Sequence, residues 1–294
     1  MQIFGKPIFF LIAFSCIFNV GFSKEFKTYG VMQTKFSYYL NQELSNEFGL
    51  GKTAFGFDGD VWRSFGYRIL VALGRDFKFS AFDVYGRFRL KNIEIRAGQF
   101  KPPFSMERLV SFLRRDFIDN AMATGLVPSR DMGIGFFGNF DYFESNLAII
   151  NGEGLNAVEK NSFKDVIFRF VPKYKLLRFG GAIYYGKSGE DSLIAKNRYN
   201  LQGEIKISGI FLRAEYVCAQ DGDDEMDTYY LSAGYRFKSI EPALRYETAD
   251  GNKRFTGGIN LYLKGYKLRV QVNYIHEWDD DLSQRLAGLI QWMF

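Results

Sequence analysis

From residue 27 to residue 294 the chain alternates apolar and polar side chains with a period of two, the spacing that sends successive residues to opposite faces of a β-strand. The stretch 198–207 is the clearest case. Tyr199, Leu201, Gly203, Ile205 and Ile207 fall on one face, and Arg198, Asn200, Gln202, Glu204 and Lys206 on the other. In 266–277 the face Tyr266, Leu268, Val270, Val272, Tyr274 opposes Lys267, Arg269, Gln271 and Asn273. The pattern predicts sixteen strands, at 27–40, 61–73, 76–82, 83–90, 92–100, 131–140, 143–151, 163–172, 177–187, 197–208, 210–220, 227–237, 240–248, 253–263, 266–277 and 283–294. Fourteen is the alternative count, because 77–90 reads without a break. The connections differ in length. Gly74-Arg75, Lys91-Asn92, Asp141-Tyr142, Lys238-Ser239 and Lys264-Gly265 read as two-residue turns. Between them come polar loops at 41–60, 101–130, 152–162, 188–196, 221–226, 249–252 and 278–282. Short turns at one rim and longer loops at the other predict an all-β fold, a transmembrane antiparallel up-and-down β-barrel of about 16 strands.

The first residues follow a different rule. Lys6 precedes an apolar run from Ile8 to Phe14, and Gly21-Phe22-Ser23 supplies small residues before Lys24. This predicts a signal peptide over 1–23 and one barrel domain over 24–294, with an uncleaved N-terminal anchor as the alternative. The run falls short of the roughly 20 apolar residues that a membrane-crossing helix needs. Removing Lys6 leaves 37 basic residues (38 − 1) against 33 acidic ones, a net charge of +4. Without Cys16 only Cys218 remains, which excludes an intrachain disulfide in that domain. His276 is the single histidine, which argues against a Ser-His-Asp enzyme and against a multi-His metal site. At the other end, Leu286, Gly288, Ile290, Trp292 and Phe294 alternate up to a terminal aromatic carboxylate. This resembles the last-strand signal of outer-membrane proteins, which implies the barrel assembly machinery as a partner through Phe294.

In a membrane barrel the polar face lines the lumen. Strand parity places Arg68, Arg87, Arg89, Arg96, Arg169, Arg178, Arg198, Lys206, Arg213, Arg236, Arg245, Arg254, Lys267, Arg269 and Arg285 there, with Glu94, Glu204, Glu215 and Glu247 as the clear acids. Most other acids fall in loops, as in Asp221 to Asp227 and Asp279-Asp280-Asp281. A basic interior and an acidic outer rim follow. Rings of Arg and Lys select for anions, and Arg offers a bidentate fork to phosphate or carboxylate. The competing reading pairs these arginines with lumen glutamates, where they merely fill space. The longest connection, 101–130, carries Ser105 as a candidate helix cap and then a helical mixture of Leu109, Phe112 and Leu113 with basic residues. The expectation is that this third loop folds into the lumen and sets Lys101, Arg108, Arg114, Arg115 and Arg130 around a constriction. Its alternatives are a course across the barrel mouth or over a neighbouring subunit.

Gly133-Ile134-Gly135-Phe136-Phe137-Gly138 matches a dinucleotide fingerprint but lacks the βαβ context that gives it meaning, so it reads as a glycine-eased strand. Asp221, Asp223 and Glu225 lack EF-hand spacing and read as a solvated loop. No G-x-S-x-G, Walker A or C-x-x-C motif is present. These features predict no enzyme, no cofactor, no metal site and no nucleic-acid partner.

The run Arg96-Ala97-Gly98-Gln99-Phe100-Lys101-Pro102-Pro103-Phe104-Ser105-Met106-Glu107 resembles the phosphate-selective porin O and P family, and Pro128-Ser129-Arg130-Asp131-Met132-Gly133-Ile134-Gly135 looks like that family's re-entry into the next strand. Residues 67–83, with Arg75-Asp76-Phe77 at their turn, and the final strand pair are also similar. The resemblance covers most of the chain and is most specific over 94–140. It implies a sixteen-stranded barrel, usually a homotrimer in outer-membrane lipid and lipopolysaccharide. It also implies passive passage of small inorganic anions, phosphate among them, through a pore narrowed by the third loop. Arg108 stands where the family can carry Lys after the Glu. The chain departs from the family in its trimmed loops, and a general porin of low selectivity is the alternative. An outer-membrane barrel enzyme and an adhesin are the remaining rivals; the first lacks an evident nucleophile for His276 and the second lacks long loops.

Overall fold

A computed structural model describes residues 25–40, 46–74, 77–190, 193–278 and 283–294. The expected signal peptide, the Arg75-Asp76 turn and Asp279-Asp280-Asp281 lie outside them. The strands are β1 (Glu25–Tyr39), β2 (Glu47–Leu50), β3 (Thr53–Trp62), β4 (Phe65–Leu73), β5 (Phe79–Leu90), β6 (Ile93–Phe100), β7 (Asp131–Asn139), β8 (Phe143–Ile150) and β9 (Asp165–Tyr174). They continue as β10 (Leu177–Ser188), β11 (Ile194–Ile207), β12 (Ile210–Asp221), β13 (Asp224–Tyr235), β14 (Ile240–Ala249), β15 (Asn252–Tyr262), β16 (Leu268–Trp278) and β17 (Ser283–Met293). From β4 to β16 each strand pairs antiparallel with its sequence neighbours. β17 returns to β1 with Val31 opposite Met293 and Tyr39 opposite Arg285, so the sheet closes on itself. β2 and β3 both pair with β1, along different parts of it, and form one interrupted strand. The interruption sits at Gly51-Lys52, whose amides donate to the backbone and side-chain oxygens of Gln33, each at 2.8 Å. The result is a closed antiparallel barrel of sixteen strands, as the alternation predicts.

The count agrees, but two assignments differ. Residues 53–62 form β3 where a loop over 41–60 was expected. Their inner face is Ala54, Gly56, Asp58 and Asp60, which are weak strand formers. Conversely the boundary expected between 82 and 83 is absent, since 79–90 form one strand, β5, with an irregularity in its pairing to β4 near Leu70. The connection between β4 and β5 therefore lies on the rim opposite Lys91-Asn92, not on the same rim.

Side chains divide as the period requires. On β11, Tyr199 and Leu201 are 52 % and 57 % exposed, while Asn200 and Gln202 are each 3 % exposed. An apolar exterior over a polar interior is the reverse of a water-soluble sandwich and the arrangement of a barrel in lipid. Several of these strands end in tight turns. Ser208-Gly209 and Asp250-Gly251 both hold two consecutive positive φ angles, the conformation that matches strand twist in a two-residue hairpin. Gly133, Gly135 and Gly138 of the dinucleotide-like motif lie in β7, where a Cβ on Gly133 would collide with the Ile149 carbonyl of β8.

Candidate functional site

The segment 101–130, between β6 and β7, is built from short elements. Ser105 caps a single helical turn, α1 (Met106–Leu109), its Oγ accepting from the Arg108 amide at 3.1 Å. Two 3-10 turns follow, Phe112–Arg114 and Met122–Leu126, so the helix expected after Ser105 stops after one turn.

Wall side chains receive this segment's backbone. Glu215 on β12 accepts from the amides of Met106 at 2.9 Å and Glu107 at 3.1 Å. Glu247 on β14 accepts from the Met122 amide at 2.7 Å, and Asn273 on β16 from Ile118 at 2.8 Å. Arg269 donates to the Arg115 carbonyl at 2.7 Å. Lys35 on β1 and Arg285 on β17 both bind the Asp119 carboxylate. Apolar contacts add to these. Phe104, Ala121, Ala123 and Val127 join a cluster with Ile150, Ile167 and Val217. Phe112 joins Val31, Ala54, Leu70 and Ala72. Orphan amides of short turns need acceptors, and the wall supplies them.

Four of the five expected constriction cations come together. Arg115 and Arg130 act on both Lys101 and Arg108, and Arg108 acts on Lys101. Burial and then these like charges push the Arg108 guanidinium down to about 10 and the Lys101 ammonium well below its usual value. Lys101 donates to the carbonyls of Arg108 and Val110, both at 2.8 Å. Arg108 donates to the carbonyls of Thr124 and Val127, and Arg115 to the Asn120 side chain. Arg130 alone of the four has an ion pair among the described residues, with Asp83 at 2.9 Å, and it stacks on Phe82. Arg114 stands apart, its guanidinium 5.7 Å from the centre of the Tyr266 ring.

The wall cations are another matter, and the expected scarcity of interior acids is corrected here. Asp58, Asp60, Asp83, Glu144 and Glu241 also face inward. Arg87 binds Asp58 at 2.6 Å and Asp60 at 3.0 Å. Arg68 binds Asp83 and Asp58, Arg89 binds Asp60 and Glu94, and Arg96 binds Glu94 at 2.6 Å. Arg169 and Arg178 share Glu144. Lys206 and Arg213 share Glu204, and Arg213 also meets Asp116. Arg245 and Arg254 share Glu247. Arg198 grips Asp221 with two nitrogens at 2.6 and 2.8 Å, so Asp221 is a partner for arginine in place of a solvated loop acid. Arg269 is fully buried on β16, bound to a segment carbonyl. Arg236 lies just past β13 over the Tyr262 ring at 3.8 Å. Lys267 is exposed in the turn before β16, because that strand begins two residues later than the expected 266.

Space remains on both sides of the segment. A cavity of about 1010 Å³ lies toward the rim of short turns, bordered by Arg114, Asp116, Arg213 and Arg236. A second of about 370 Å³ is bordered by Lys101, Arg130 and Asp83, and a third of about 270 Å³ by Arg115, Asp119 and Lys35. The acids of β3, with Asp83 and Glu144, are what sequence reasoning missed. The signal for β3 was the alternation of Phe55 and Phe57 with Asp58 and Asp60.

The sequence matches no protein-family model and no curated protein. Solved structures do match. The chain is similar to OmpF of Salmonella typhi (in complex with daunomycin), with a TM-score of 0.75 at 10% identity over 92% of this chain and 97% of that one. It is similar to the anion-selective porin from Comamonas acidovorans, with a TM-score of 0.71 at 13% identity over 92% of this chain and 99% of that one. The outer membrane channel DcaP of Acinetobacter baumannii gives a TM-score of 0.68 at 13% identity over 92% and 97%. The chain has the closed barrel fold of these outer-membrane channels.

Proposed function

We propose that this protein is an outer-membrane porin, a passive diffusion channel that prefers anions, with segment 101–130 lying in the lumen as its constriction. The observation that carries the reading is the group Lys101, Arg108 and Arg115, cations gathered on one segment and bound to carbonyls and an amide in place of carboxylates. Paired arginines on the wall contribute little net field, whereas these three have no carboxylate at ion-pair distance among the described residues. A weakly held anion would exchange part of its hydration for such groups and leave again. The resemblance over 94–140 makes phosphate the anion to test first. The same reading has the chain exported by a cleaved signal over 1–23, inserted through recognition of Phe294, and assembled as a trimer among lipopolysaccharide. It assigns no catalytic step to any residue.

The test is the reversal potential of the purified protein in planar bilayers under a KCl gradient, followed by phosphate titration of the chloride current. Anion selectivity that declines in Arg108→Gln and Arg115→Gln supports the reading. Cation selectivity in the parent protein sinks it. A second reading, a general porin of low selectivity, is favoured by the thorough pairing of wall arginines such as Arg87 with Asp58 and Asp60. Large steps with a reversal potential near zero would select it.

A further inference from the structure

The cavities on the two sides of the segment meet at one residue. The 1010 Å³ and 370 Å³ spaces share Arg68, Glu144 and Arg169 on their linings and form one chamber on the short-turn side. The 270 Å³ space lies on the other side, beside Gly51, Gly74 and Ser80. Among the described residues that border these spaces, Phe112 alone borders both the 370 Å³ and the 270 Å³ cavity. Its ring is 8 % exposed. It rests on an apolar collar of Val31, Ala54, Leu70 and Ala72, from β1, β3 and β4. Cations stand on each side: Lys101 and Arg130 border the 370 Å³ cavity, and Arg115 the 270 Å³ one.

We propose that Phe112 is the septum of the channel, the residue that sets its conductance and its size limit. The inference rests on the porin reading. A hydrated ion passing between the chambers meets an apolar ring on an apolar collar, where water is poorly held, and such a constriction limits flow by dewetting until the ring moves. The ring hangs from one 3-10 turn, with the Arg114 amide bonded to the Ser111 carbonyl at 2.8 Å. Flanking cations would gather anions at the barrier, and the ring would decide how large an anion crosses.

Single-channel conductance of the parent, Phe112→Ala and Phe112→Trp tests this, with heat-modifiable gel mobility confirming that each has folded. Phe112→Ala should conduct about twofold more or better, and Phe112→Trp less than the parent. In a Cys218→Ser background, Phe112→Cys should lose its current when a bulky thiol reagent is added. Equal conductance in all three proteins, with no effect of the reagent, overturns the septum and leaves the porin standing. Absence of steps from the parent and from every folded variant overturns the porin reading and the septum with it.

Discussion

Asp116 and Asp119 share the segment between β6 and β7 but are driven in opposite directions. Burial pushes the Asp116 carboxyl up to about 6, with Arg213 opposing and Glu241 and Glu107 adding to the rise. Burial acts on Asp119 too, but Arg285 and Lys35 outweigh it and hold that carboxyl down at about 2. As pH falls through about 6, Asp116 gains a proton and its surroundings gain one positive charge, while Asp119 stays ionised. On the porin reading, selectivity should therefore shift toward anions from pH 7 to pH 5, and Asp116→Asn should show the shifted value at both. By linkage, a carboxyl raised in the folded state adds stability as pH falls from about 6 toward its unfolded value near 3.8. Reversal potentials against pH decide the matter; an identical step in Asp116→Asn would assign the titration elsewhere.

Arg87 gives the contrary case, a guanidinium only 6 % exposed and held by two aspartates of β3. Asp58→Asn should shift selectivity toward anions by leaving Arg87 and Arg68 less neutralised. Arg87→Ala should cost on the order of 3 kcal/mol, since it strands Asp58 and Asp60 with weaker partners. Selectivity measurements and urea unfolding of the folded barrel check the two halves.

Glu247 is fully buried and serves three partners, Arg245, Arg254 and the Met122 amide. Glu247→Ala is expected to destabilise by roughly 3 kcal/mol and to loosen the second 3-10 turn of the segment. Glu247→Gln keeps an acceptor for Met122 and should lose less of the segment's order. Proteolysis of the segment in folded protein would separate the variants; equal cleavage rates in both would contradict the assignment.

The barrel closes where Phe294 exchanges backbone hydrogen bonds with Gly30, at 2.8 and 3.0 Å. A Cβ on Gly30 would collide with the Phe294 ring. Gly30→Val should cost about 1–3 kcal/mol of overpacking and slow closure. Shortening the ring, by Phe294→Leu in the same chain, should restore part of the loss. Folding kinetics followed by gel mobility would show it.

Strands such as β11 were legible because both faces speak: tyrosine, leucine and isoleucine outside, long polar groups inside. β3 was not, because its inner face is small or acidic and such residues ordinarily mark loops. That same misreading hid Asp58 and Asp60 and so made the interior look more basic than it is. Parity tells which way Arg178 points but not that Glu144, from β8, meets it. The convergence of Lys101, Arg108, Arg115 and Arg130 could be expected from one connection, whereas the separation of Arg114 depends on the 3-10 turn that aims it at Tyr266.

The two-residue turns at Gly222-Asp223 and Asp250-Gly251 leave little chain beyond the sheet. Proteases cut where a loop tip can unfold locally into their clefts, and antibodies favour the same protruding peptides. At these hairpins the folded barrel has almost no loop tip to unfold, so a protease has little chain to grip there.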